Sequence, residues 1–204
     1  MKKFNAFTMA EVLLTLLIIA VIATMTVPAL KKDAAARTVA TSLNKIYSEL
    51  SQATQLALSK SAVNKLSRTD FFTDEETFHN KFVKEYFSVA RECPAGTPED
   101  CFGNSNLVAG RSVLLTNGFG LAFLYNNTGS MIVYVDVNGP KSPNKGGSDQ
   151  FILNVDNSGT VHTGLGNQSK YDTYSQKCVE GTDDYELAWS CAVKIQQDGW
   201  NIKF

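Results

Sequence analysis

The chain has 204 residues, 19 of them Lys or Arg and 20 Asp or Glu, for a formal net charge of -1. Near-neutrality excludes the bulk attraction to nucleic acid that a strongly basic chain would show. An apolar content of 44%, with 10% aromatic residues, excludes a disordered chain, and the length suits one domain plus an additional segment.

That segment comes first. Lys2 and Lys3 open the chain, Glu11 follows, and Val12–Leu30 runs nineteen residues without a charge. About twenty apolar residues at 1.5 Å each cross a bilayer core, so the run predicts a membrane-spanning helix. Lys2 and Lys3 favour a cytoplasmic N-terminus, whereas Lys31 and Lys32 beyond the run weaken that argument. A cleavable secretory signal is the competing reading, with Val27 and Ala29 as the small residues a signal peptidase inspects. Glu11 stands against it. A charge costs about 2.5–3.5 kcal/mol at full depth, and a plain signal has no use for one.

The stretch "NAFTMAEVLLTLLIIAVIATMTVPAL" resembles the leader and N-terminal helix of type IV pilins and type II secretion pseudopilins. The resemblance covers roughly the first thirty residues. It implies a leader over 1–6 that ends at Ala6, where the family usually has Gly, and is cut by a prepilin peptidase. Phe7 would then be the N-terminus and would be N-methylated. Glu11, fifth from Phe7, would neutralise the terminal ammonium of a neighbouring subunit, and Pro28 would bend the helix. The resemblance further implies a single-pass protein of the inner membrane, N-terminus cytoplasmic, that passes into an extracytoplasmic filament. Its implied partners are other pilin or pseudopilin subunits, the prepilin peptidase and an inner-membrane assembly platform. The implied plan is a leader over 1–6, an anchor and filament-core helix over 7–30, and an extracytoplasmic domain over 31–204.

Beyond Lys32, apolar residues recur at Val39, Leu43, Ile46, Leu50, Ala53 and Ala57. Steps of four and three trace one face of a helix, which is predicted to reach about Ser59 and to pack against the chain's own domain. "TDEETFHNKFVKEYFSVARECP" predicts a second helix that starts on a Thr73/Glu76 capping box and ends at Pro94. Phe78, Phe82, Tyr86 and Phe87 line its apolar face, and His79 falls off that face, in solvent. Strands follow: "RSVLLT", a turn at Asn117-Gly118, "FGLAFLY", "MIVYVDV" and "QFILNV", then a turn over 156–159. "AVKIQQDGWNIKF" predicts a last strand pair turning at Asp198-Gly199, with Trp189 and Trp200 in the core.

Seven residues separate Cys93 from Cys101, and twelve separate Cys178 from Cys191. Neither gap is a zinc spacing. Four cysteines allow three pairings. Each sequential pair closes a short loop bearing turn residues, so Cys93–Cys101 and Cys178–Cys191 are expected, with free buried thiols as the alternative. Disulfides place the region that bears them outside the cytoplasm.

Between two strands lies "VDVNGPKSPNKGGSDQF", which resembles a loop of pseudopilin and minor-pilin domains that binds calcium in some relatives. Asp136, Asn138 and Asp149 offer the hard oxygens calcium takes. The competing reading is a turn-rich connection whose Asp and Asn side chains cap its own backbone.

No GxSxG, P-loop, GxGxxG or HExxH occurs, so the sequence predicts no enzyme. The expected fold is α+β: a long N-terminal helix, transmembrane in its first half and amphipathic in its second, packed on a small antiparallel sheet. The resemblance implies a structural subunit, minor-pilin-like, of a type IV pilus or secretion filament. The rival is a secreted or membrane-anchored binding protein or enzyme with an unrelated anchor.

Overall fold

A computed structural model describes residues 8–95, 97, 99–103, 110–126, 128–163, 178–179, 181 and 185–202. The chain divides into two units, Met1–Thr38 and Val39–Phe204. One helix, α1 (Met9–Lys60), contributes to both, and helical backbone continues through Pro28.

In the second unit α1 buries the predicted stripe. Leu43, Ile46, Leu50 and Ala57 are fully enclosed, Ala53 is buried, and Val39 packs at the margin. The stripe meets one face of a six-stranded antiparallel sheet whose strands lie in sequence order. These are β1 (Val89–Cys93), β2 (Ser112–Leu115), β3 (Gly120–Tyr125), β4 (Met131–Asp136), β5 (Gln150–Val155) and β6 (Val161–His162). Alternate residues point to the same face. Leu121 and Phe123, Val133 and Val135, and Leu153 and Val155 therefore join the α1 stripe in one core. The opposite face carries a smaller cluster of Ala122, Tyr134 and Ile152 under Phe102 of α4 (Glu99–Phe102).

Polar bonds fix how α1 sits on the sheet. Thr54, fully buried, donates its hydroxyl to the Gly159 carbonyl at 2.7 Å, and the Tyr47 hydroxyl donates to Val161 O at 3.2 Å. Gly159 has φ of 78°, and a Cβ there would sit 2.8 Å from Leu58 Cδ1. The positive φ of the turn therefore favours glycine, and the helix side chains pack closely over it.

The second helical segment departs from expectation. It consists of α2 (Glu75–Phe78), a π-helical turn over His79–Val83 and α3 (Lys84–Tyr86). Its cap is Asp74, whose carboxylate accepts the Thr77 N–H at 2.8 Å, rather than Thr73. It ends at Tyr86, and the residues before Pro94 form β1 instead. The π turn carries more residues per turn than an α-helix. It lets Phe78, His79, Phe82 and Val83 all face inward.

His79 is therefore buried, not solvated. Its ring lies edge-on to Phe78 and Phe123, and its Nδ1 has no hydrogen-bond partner among the described residues. Burial, helped by the Arg111 and Lys84 charges and opposed by Glu75 and Glu92, pulls its pKa from 6.5 down to about 4. Between those values the folded chain binds fewer protons than the unfolded one. Stability is then complete above pH 6.5 and is lost as pH falls toward 4. His79→Leu is expected to flatten that acid limb. A urea midpoint that falls as steeply in the variant as in the parent, between pH 6.5 and 4, would refute the assignment.

The C-terminal stretch is α5 (Tyr185–Gln197), not a strand pair. Cys191, Ala192 and Ile195 seat it on the main core. Trp200 follows the helix, partly buried, with its ring 5.2 Å from that of Tyr47. The Trp189 side chain lies outside what the structure describes. Disulfides join Cys93 to Cys101 and Cys178 to Cys191. Each closes a short loop, and cross-links of this kind stabilise by about 2–4 kcal/mol.

Candidate functional site

Two places hold the residues that the sequence singles out. The first is the opening of α1. Thr8 stands just before the helix, and Glu11 is its third residue. The Thr8 N–H donates to Glu11 Oε2 at 2.8 Å, and the Glu11 N–H donates to Thr8 Oγ1 at 3.2 Å. The Thr8 hydroxyl also donates to Oε2, at 2.9 Å. This is a reciprocal capping box, which satisfies two N–H groups that the first helical turn leaves without partners. Glu11 Oε1 accepts nothing among the described residues. Sequence reasoning missed Thr8, although the pattern T-x-x-E ahead of an apolar run was legible. Ala6 and Phe7 lie outside the described residues.

From Met9 to Leu30 the helix displays its apolar side chains on all sides; Leu13, Leu17, Ile19, Ile22 and Leu30 are each more than half exposed. The polar groups in this stretch are satisfied locally. Thr15, Thr24 and Thr26 donate their hydroxyls to the helix's own carbonyls at Val12, Val21 and Ile22. Among the described residues this is the one helix long and apolar enough to cross a membrane.

The second place is the connection from β4 to β5. Gly120, Asp136 and Gln150 lie side by side across β3, β4 and β5. Asp136 and Gln150 are fully buried, and Asp149 nearly so. Gln150 Nε2 donates to Asp136 Oδ2 at 2.9 Å and to the Phe102 carbonyl at 3.0 Å. It thereby ties the end of α4 to the sheet. Asp136 Oδ1 accepts the Asn138 N–H at 3.1 Å. Burial outweighs these donors and, with Asp149 nearby, pushes the Asp136 carboxyl up to about 8. Asp149 accepts the N–H groups of Lys145 and Asn144 at 2.7 and 2.8 Å, and the Asn138 amide at 3.0 Å.

This geometry lends no support to the expectation of calcium. Both Asp149 oxygens are bound to donors of the loop itself, and the Asn138 amide nitrogen is turned toward Asp149. No group of three or more His, Cys, Asp and Glu that could hold a metal occurs among the described residues. Asp136, Asn138 and Asp149 fold the connection onto itself, as the competing reading held. The loop is also anchored at its far end. A Cβ on Gly147 would meet Cys191 Sγ at 2.6 Å, and Gly181 N–H donates to Gly146 O at 3.0 Å.

No family model, curated protein or solved structure matches the chain.

Proposed function

We propose that the chain is a structural subunit, minor-pilin-like, of a type IV pilus or type II secretion-like filament. The observation that carries the reading is the two-part character of α1. Its C-terminal part is consumed by the chain's own core, while Met9–Leu30 exposes apolar side chains all round and begins with a carboxylate. A surface of that kind calls for lipid or for other apolar helices. A filament assembled from the membrane supplies both in turn. The two disulfides support an extracytoplasmic domain.

In this reading Ala6 is the last residue of the leader and Phe7 the methylated terminus. Glu11 pairs with the terminal ammonium of a neighbouring subunit. The prepilin peptidase and an assembly platform in the inner membrane are the processing and assembly partners. The domain does no chemistry and is carried on the filament. Mass spectrometry of the mature chain tests this. A terminus at methylated Phe7 is the expected result. A terminus near Leu30 would make the apolar run a secretory signal and would leave the anchored or secreted binding protein as the better account.

A further inference from the structure

Three cations lie just beyond the apolar run. Lys31, Lys32 and Arg37 are exposed in α1, with Asp33 the single acid among them. At about 100° per residue, Lys32 lies roughly 100° from Lys31 and Arg37 roughly 240° from it. The three cations therefore ring the helix and do not form one face. A one-sided protein partner would select a stripe, whereas a ring fits a layer that surrounds the helix.

The axial dimensions agree. Met9–Leu30 spans about 33 Å at 1.5 Å per residue, close to a hydrocarbon core of about 30 Å. Lys31 to Arg37 covers about 9 Å more, comparable with the roughly 5–8 Å headgroup region of one leaflet. Helical side chains lean toward the N-terminus, here toward the bilayer. Long basic side chains keep their stems on apolar surface and extend the charge to the phosphate level.

We infer that Lys31, Lys32 and Arg37 form a collar that binds anionic phospholipid headgroups at the end of the membrane span remote from Glu11. The inference rests on the reading of α1 as a membrane-spanning helix. The collar holds the subunit at a fixed depth until assembly draws it out. It makes release from the bilayer sensitive to the anionic lipid content and to salt.

The test uses the full chain, in a Lys2→Gln/Lys3→Gln background so that only this end contributes. The protein is reconstituted into phosphatidylcholine vesicles with trace spin-labelled phosphatidylglycerol or spin-labelled phosphatidylcholine. Phosphatidylglycerol is expected to associate about fivefold or more in preference, since each basic residue near an anionic surface contributes about that factor. Lys31→Gln/Lys32→Gln/Arg37→Gln should abolish the preference, Asp33→Asn should strengthen it, and high salt should weaken it. Equal association of the two lipids, or a preference unchanged in the triple variant, overturns the collar and leaves the filament reading standing. Release of the chain by alkaline carbonate would show that α1 does not span, and overturns both.

Discussion

Phe78→Ala is expected to cost the folded domain about 3–5 kcal/mol, the usual range for truncating an enclosed aromatic side chain. Phe78 is fully buried at the centre of an aromatic cluster. Its ring lies 4.5 Å from that of Tyr125, 5.3 Å from Phe82, and 5.6 Å from both Phe72 and Phe123. Those neighbours come from a 3-10 turn, the π turn and β3, so no single element can relax to fill the void. Ring pairs of this kind also contribute about 0.5–1.5 kcal/mol beyond burial. Against a typical total of about 5–15 kcal/mol, the loss is large. Urea unfolding of the full chain in detergent, followed by tryptophan fluorescence, reads it. Phe78→Leu should lose distinctly less, because most of the volume stays. A loss below about 1 kcal/mol for the alanine variant would mean that the cluster closes around the gap.

This cluster also marks where the sequence stopped being legible. The α1 stripe was legible because six apolar residues kept the helical step over five turns, and a long signal averages out local ambiguity. β2 to β5 were legible because turn residues bracket each apolar run. The second helical segment failed in three places for local reasons. His79 lands inside because, at about 100° per residue, it falls between Tyr86 and Phe87 on the helix, so a period of 3.6 already places it on the buried face, which is wider than the expected one. Asp74 and Thr73 are both good caps, and neighbouring side chains chose between them. Val89–Cys93 continues a helical pattern in sequence, but pairing with β2 and the Cys93–Cys101 bond hold it extended. "AVKIQ" in α5 alternates like a strand, and only its packing on the core decides for helix. In the loop, residue type alone could not separate a cation's ligands from a self-capped connection. The difference lies in which N–H groups the fold aims at Asp149.

Glu11 requires the same discrimination, because the structure supplies a local partner that the family resemblance does not need. Its carboxylate caps α1 through Thr8, and that alone would account for an acid at the start of the helix. Capping and subunit pairing make opposite predictions for Glu11→Gln. Glutamine serves at this position of a capping box, so the helix start survives, but the charge is gone. If Glu11 pairs with a neighbour's terminal ammonium, Glu11→Gln and Glu11→Ala should be equally defective in assembly. Leaving one charge unpaired in an apolar bundle costs about 3–5 kcal/mol, which is a factor of a hundred or more in the assembly equilibrium. Thr8→Val removes the hydroxyl and about 0.5–2 kcal/mol of capping while it keeps the carboxylate, so incorporation should fall far less. Membrane insertion should be intact in all three variants, because the apolar run from Val12 to Leu30 is untouched. The quantity to measure is the share of epitope-tagged subunit in sheared filaments relative to membranes, by immunoblot. Incorporation of Glu11→Gln at the parental level, with Glu11→Ala and Thr8→Val both impaired, would reassign Glu11 to capping alone.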